Sequence, residues 1–298
     1  MNHYINRRNL LRKLSFAAGA ISLPLSTWAK DEHGTPIRLP DPSRKRKLNK
    51  AITAITLGAG NRGNVYGNYS IEYPEEVNIV GIAEPIAIRR SRYSDKHKIL
   101  KSNQFTTWEH VFDRPKFADA ILITTPDDLH YGPCMKALSM GYDILLEKPI
   151  SPSERECRDI LELSQKTGRI VAVCHVLRYA PYFIRLRELI QTGMIGDVIS
   201  MQHFEPIQHI HMSHSFVRGN WHNSVETAPI ILAKSCHDLD IIKWMIGEQC
   251  KKIHAFGTLK WFHQGNAPAG STNRCTDGCK IESECPYSAL KIYHRDRL

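Results

Sequence analysis

Three glycines at set intervals mark the first residues in this chain whose types and spacing suggest chemistry. In LGAGNRG, Gly58, Gly60 and Gly63 follow the pattern G-x-G-x-x-G, with Asn61 and Arg62 between the second and third. Between a strand and a helix, such a run makes a tight turn, lets backbone approach a pyrophosphate, and seats the helix on the strand. The helix N-terminus adds amide donors for the anion. Glu84 closes a second apolar run about 20 residues on. A carboxylate there accepts hydrogen bonds from ribose hydroxyls and repels a 2′-phosphate. These residues predict a dinucleotide site, with NAD as the first choice. Arg62, Arg89 and Arg90 could receive a 2′-phosphate, which keeps NADP open.

Such a loop works only if regular elements hold it. From residue 51, short β-branched runs (AITAITL, VNIVGIA, ADAILI, YDILL, RIVAV) alternate with helical stretches. Apolar strands alternating with helices predict an α/β fold, a Rossmann-type doubly wound parallel sheet covered on both faces. Ser153 with Glu156 three residues on is a capping box that starts a helix after Pro152. Gly168 suits the C-terminal turn of that helix.

Beyond Arg178 the pattern changes. PYFIRLRELIQTGMIG reads as an amphipathic helix ended by glycine, and ILAKSCHDLDIIKWMIG as another closed by Gly247. DVISMQHFEPIQHIH alternates like a half-exposed antiparallel strand, and KKIHAFGTLKWF reads as a further strand. The expected second domain is therefore α+β with a largely antiparallel open sheet. The expected boundaries are 51–175 for the dinucleotide-binding domain and 176–298 for the substrate and oligomerisation domain.

The ends of the chain carry different information. Arg7 and Arg8 precede a short apolar segment, interrupted by Gly19 and Pro24 and closed by Thr27, Trp28 and Ala29. This reads as a twin-arginine signal peptide over residues 1–29, removed after Ala29, and hence as an exported, periplasmic protein that meets the twin-arginine export machinery. A membrane tether is the alternative, but the apolar run is shorter than the roughly 20 residues needed to span. A basic linker follows over residues 30–50. Residues 1–50 hold 11 of the Lys and Arg residues against 3 Asp and Glu, so most of the formal charge of +10 resides there. The near-neutral body has no basic face with interleaved aromatics, which argues against nucleic acid as a partner.

Eight cysteines are too few to scaffold a chain of this length. Cys275, Cys279 and Cys285 are closely spaced, with Cys236 and Cys250 as further partners. Three such thiols could hold zinc or an iron–sulfur cluster, but their spacing lacks the C-x2-C pairs of zinc sites and no metal is assigned; a disulfide with one thiol left over suits them equally.

Three further stretches resemble the Gfo/Idh/MocA family, named for glucose-fructose oxidoreductase and inositol dehydrogenase. They are TTPDDLHYGPCMKALSMGYDILLEKPIS, with a T-P-x-x-x-H segment before an E-K-P turn, HVLRYAPYFIRLRELIQTGMIGDV, and SCHDLDIIKWMIG. The resemblance implies that Thr125, Pro126 and His130 lie along the cofactor, with Glu147, Lys148 and Pro149 beside the nicotinamide. It also implies that His237 is the acid/base. Oxidising a secondary alcohol needs a base for the hydroxyl proton and a cation near the oxygen, and Lys148 suits the second role. On their helix Lys234 and Asp240 lie three positions either side of His237 and face the same way. Arg178 and Tyr179 join them as candidate substrate contacts, with hinge packing as the alternative. Many members have an aspartate four residues before the histidine, where this chain has Ala233. Members also run longer, so the end at Leu298 reads as a truncation of the second sheet.

The resemblance implies an exported NAD(P)-dependent oxidoreductase, a homo-oligomer, that moves a hydride between a nicotinamide cofactor and a sugar or polyol. Two alternatives stand beside it: a glycosidase that oxidises its sugar transiently through NAD, and an inactive cofactor-binding remnant.

Overall fold

The computed structural model describes residues 49–295. The twin-arginine segment, the cleavage site after Ala29 and nearly all of the basic linker lie outside the described residues. These residues divide into two compact units, 49–178 with 201–295, and 179–200.

The larger unit is built on β1 (Ile52–Leu57), whose strand leads through the glycine loop into α1 (Asn61–Glu72). After it come β2 (Val77–Ala83), α2 (Ala87–His97) and β3 (Gln104–Phe105). The second half runs β4 (Ala120–Ile123), α3 (Tyr131–Ser139), β5 (Asp143–Leu146), α4 (Glu154–Thr167) and β6 (Val171–Val173). The six strands lie in the order β3-β2-β1-β4-β5-β6, and every pairing is parallel. This is the doubly wound sheet expected from the sequence. The order reverses between β1 and β4, and ligands bind at that switch point, outside the carboxyl ends of the strands.

Successive strand residues point to opposite faces, so a strand covered on both sides must be apolar throughout. Ile55, Leu57, Ile121, Ile123, Ile144 and Leu146 pack with Cys134, Ala137, Leu138 and Ile160 of α3 and α4. Ala54, Ile79, Ile82 and Leu122 face the other way, against Tyr93 of α2. Thr56, also on that second face, shares a 2.8 Å hydrogen bond with the Tyr93 hydroxyl.

The helix ends follow their local signals. Ser153 caps α4, its hydroxyl accepting from Glu156 N, and Gly168 closes the helix at φ 65°. The box is half used, since Glu156 turns its carboxylate to the Ser151 hydroxyl and Ser153 N donates to Ser151 Oγ. Residues 179–200 hold α5 (Pro181–Gln191), with proline at the first turn, where its missing N–H costs nothing.

Residues 201–295 differ from the sequence expectation. No strand follows Val173 among the described residues, and the segments read as antiparallel strands, 197–211 and 251–262, are mostly irregular backbone. A strand is defined by its partner, and neither segment has a ladder neighbour. Their apolar residues are correspondingly exposed, with Ile199, Phe204, Ile253 and Phe256 each more than two-thirds open. The regular part of this region is α6 (Cys236–Ile246), ended by Gly247 at φ 77° as its sequence implies. It buries Asp238, Ile241, Trp244 and Met245 along one face. No helix among the described residues is long and apolar enough to cross a membrane.

Candidate active site at the carboxyl end of the sheet

The glycines divide the work between packing and approach. A Cβ at Gly63 would lie 2.1 Å from Gly58 O and 2.9 Å from Thr124 Oγ1, so only glycine lets α1 seat on the strand ends. Gly58 sits at φ +94°, where a Cβ would also fall 2.8 Å from Thr124 O. Gly60 is different, since a Cβ there meets nothing within 4 Å. The open space in front of Gly60 faces the start of α1, whose first turn has no side-chain cap and no acidic residue. Its amides and the positive end of the helix dipole are available to an anion. Asn61 begins this turn, and Asn64 Nδ2 donates to the carbonyls of Ala59 and Gly60 at 2.9 Å each. The cradle fits a pyrophosphate.

Glu84, at the end of β2, is buried. Its Oε2 accepts from Ala59 N at 2.7 Å and its Oε1 from Ile86 N at 2.9 Å. The carboxylate is thus fixed between the glycine loop and the next turn, and each oxygen keeps a lone pair for a ribose hydroxyl. Two of the arginines considered for a 2′-phosphate are used elsewhere. Arg62 Nε donates to Glu147 Oε1 at 2.6 Å, and Arg90 donates to the Glu84 carbonyl at 2.5 Å. Arg89 instead lines a cleft of about 380 Å³ with Gly60, Asn61, Asn64, Arg92 and Lys96.

The two turns after β4 and β5 are tied to each other. His130 is fully buried, and its nitrogens lie 3.0 Å from Thr125 O and 2.8 Å from Pro149 O. The histidine expected along the cofactor is therefore behind the turns, holding the T-P-x-x-x-H segment to the E-K-P segment. Thr125 and Pro126 remain on the turn itself, where Thr125 Oγ1 donates to Leu129 O at 3.1 Å. Asp127 is also buried, and burial raises its carboxyl above the ordinary range while Trp221 pulls the other way. Trp221 Nε1 donates to Asp127 Oδ2 at 2.8 Å, joining residues 94 apart in sequence.

Glu147 is the hub of the E-K-P turn. It accepts from Arg62, from Tyr66 Oη at 2.7 Å and from its neighbour's amide, Lys148 N, at 2.7 Å. Burial, with Cys174 and Glu147 beside it, pushes the Tyr66 phenol well above its usual value, and burial pushes the Cys174 thiol up to about 11. Glu147 therefore orients the turn from within, and Lys148 projects from it. The Lys148 ammonium donates to the carbonyl of Ala233, and the Lys148–Pro149 bond is cis.

That contact carries the E-K-P turn to the start of α6, where His237 stands. Burial is the main reason the His237 imidazole is pushed down to about 4, and the positive charge of Lys148 adds to it. A histidine in this state is uncharged at physiological pH and keeps one ring nitrogen unprotonated. Its Nδ1 is buried without a hydrogen-bond partner, as is Nδ1 of His175, which lies 3.9 Å from Asp240 Oδ2, and the two rings stand edge to face with centroids 6.0 Å apart. Burial likewise lowers His175.

The remaining candidates are engaged with other side chains. Arg178 grips Asp240 with Nε at 2.7 Å and Nη2 at 2.5 Å, and Lys234 pairs with Glu205. Lys234 and Asp240 thus satisfy different partners, although both were expected to face the same way as His237. The reason is that Lys234 precedes α6, so helical spacing does not apply to it. Tyr179 belongs to the separate unit of residues 179–200. Among the described residues no disulfide joins the cysteines; Cys275 Sγ accepts from Ala289 N at 3.4 Å.

The sequence reading missed Tyr66, His175 and Trp221. Tyr66 lies one helical turn after Arg62 and could have been paired with it by spacing. Trp221 and His175 have no local signal, since their partners are distant in sequence.

Comparison with known proteins fits this geometry. Residues 52–175 match the profile of the Gfo/Idh/MocA oxidoreductase family, described as an NAD-binding Rossmann fold. Inositol 2-dehydrogenase of Corynebacterium glutamicum strain R is 26% identical over 207 residues, covering 69% of this chain and 57% of that protein. Inositol 2-dehydrogenase/D-chiro-inositol 3-dehydrogenase of Lactiplantibacillus plantarum is 26% identical over 165 residues, covering 54% and 44%. The crystal structure of myo-inositol 2-dehydrogenase from Lactobacillus plantarum superposes with a TM-score of 0.59 at 20% identity, covering 66% of this chain and 57% of that one. The chain spans about half the length of the relatives it matches.

Proposed function

We propose that this protein is an NAD(P)-dependent oxidoreductase that moves a hydride between the nicotinamide and a secondary hydroxyl of a sugar or polyol. The observation that carries the reading is the junction of Lys148 with Ala233, which brings an ammonium from the E-K-P turn to the segment leading into half-buried His237, whose imidazole is held below its ordinary range. Names of the relatives, inositol dehydrogenases, support a polyol as the substrate class.

The chain's own residues would divide the task. The Gly58 to Gly63 loop and the first turn of α1 hold the pyrophosphate, and Glu84 holds the ribose and favours NAD. When bound, the dinucleotide supplies a hydride acceptor. His237 takes the hydroxyl proton on its unprotonated ring nitrogen, and Lys148 stabilises the developing charge on the oxygen. The Ala233 carbonyl holds Lys148 without cancelling its charge, unlike the carboxylate that many family members have there. Residues 201–295 would supply the substrate side of the site. Export through the twin-arginine route belongs to the same proposal: a protein that must fold around a cytoplasmic dinucleotide suits a route that carries folded proteins.

The test is denaturing release of the dinucleotide from purified protein, read by mass spectrometry, followed by screening of free polyols, sugars and glycosides. Released NAD(H) or NADP(H) together with polyol-dependent reduction supports the reading. Aglycone release with no net redox change would redirect it to glycoside cleavage. A folded protein that neither carries nor binds a dinucleotide overturns it.

A further inference from the structure

One cluster outside the proposed reaction centre remains incompletely satisfied. His203 Nε2 lies 2.7 Å from Asp238 Oδ1, and Glu205 is two residues from His203. One nitrogen or oxygen from each of the three residues falls within 4.8 Å of the others. Asp238 is 7% exposed, yet its second oxygen, Oδ2, is buried with no hydrogen-bond partner. A buried carboxylate oxygen with no donor is costly, and in natural structures buried charges are paired or coordinate metals.

We propose that His203, Glu205 and Asp238 form a binding site for a divalent transition-metal ion. One imidazole and two carboxylates form a donor set suited to Zn²⁺, Mn²⁺, Fe²⁺ or Co²⁺. It is too small and too nitrogenous for Ca²⁺, and it lacks the soft sulfur that selects Cu⁺. The charge is also suitable. The two carboxylates bring negative charge that attracts a dication, and the Lys234 ammonium on Glu205 offsets part of it. Lys234 is then the competitor of the metal for Glu205. The orphan oxygen of Asp238 supplies a lone pair that no residue uses.

The site has a structural consequence. Two ligands come from irregular backbone at 203–205, and the third from the first turn of α6, one residue beyond His237. An ion held there would fasten the irregular segment to the helix that carries the proposed base. It would act on the position of His237, not on the reaction itself.

The experiment is a Co²⁺ titration of the full chain after treatment with chelator, with Co²⁺ itself as the probe. The expected result is one equivalent bound, with visible d–d absorption and no thiolate charge-transfer band, which separates this site from the eight cysteines. His203→Ala and Asp238→Asn should each weaken binding at least ~10-fold, as loss of metal-site groups does. Lys234→Met should tighten it several-fold by removing the competing ammonium, and Cys275→Ser should leave it unchanged. Far-UV circular dichroism checks each variant; if the ligand variants fail to fold, the stoichiometry, the band and Lys234→Met decide. The proposal is overturned by the absence of saturable binding, by a thiolate band lost on Cys275→Ser, or by unchanged affinity in both ligand variants. None of these readouts involves a dinucleotide, so they stand or fall apart from the proposed hydride transfer.

Discussion

Gly60 and Gly63 should fail in opposite ways when each is replaced by alanine. A Cβ at Gly63 would sit 2.1 Å from Gly58 O, almost 1 Å inside the 3.0 Å that real Cβ atoms keep. The atom it meets is backbone, in a loop braced by Thr124, so no side chain can swing away. Overpacking against such a neighbour belongs at the upper end of the usual range, about 3 kcal/mol. In a chain of this size that lowers the melting temperature by roughly 6–12 °C. Gly60→Ala meets nothing within 4 Å and adopts an ordinary φ of −71°. Exchanging glycine for alanine at a helix N-cap costs about 0.5–1 kcal/mol, or roughly 1–4 °C. Its added methyl instead fills the space a pyrophosphate would enter, so affinity for NADH should fall at least ~10-fold, or ~1.4 kcal/mol. Differential scanning calorimetry and isothermal titration with NADH measure the two quantities separately. Wild-type NADH affinity in Gly60→Ala, or wild-type melting in Gly63→Ala, would refute the division of labour.

Three further outcomes follow from polar groups that are buried or half-buried. The His237 ring should titrate near pH 4 by NMR, and Lys148→Met should move it upward by removing a positive charge; titration near 6.5 in the wild type would contradict the half-buried, lysine-flanked site. Burial, aided by Lys96, also pushes His97 down to about 4. Its unfolded form gains a proton below about 6.5 while the folded form stays neutral, so stability should fall as pH drops from there towards 4, and His97→Gln should flatten that slope in urea unfolding. Trp221→Phe leaves the buried Asp127 carboxylate without its indole donor and should cost about 1–3 kcal/mol by the same method, with no loss expected if the 2.8 Å contact is incidental.

Much of the nucleotide half was legible because its signals are local. A strand, a glycine turn and a helix must follow one another in sequence to hold a pyrophosphate, so Gly58, Gly60, Gly63 and Glu84 could be read from spacing. Gly168 and Gly247 were legible for the same reason: a helix end needs a left-handed residue at one position. Local pattern misled where a strand depends on a distant partner. Alternation at 197–211 suggested a strand, but alternation supplies only a face, and no neighbouring edge completes the ladder.

Side-chain partners were decided by tertiary structure alone. Arg62 could equally have faced a ribose phosphate; the parallel register of β1, β4 and β5 sets the E-K-P turn beside α1, and Glu147 takes the guanidinium. The sequence marked which residues are candidates for binding a dinucleotide and moving a proton. Folding determined that Lys148 meets the Ala233 carbonyl, that Trp221 meets Asp127, and that burial lowers the His237 imidazole. Each of those outcomes depends on burial and long-range contact, which spacing along the chain does not encode.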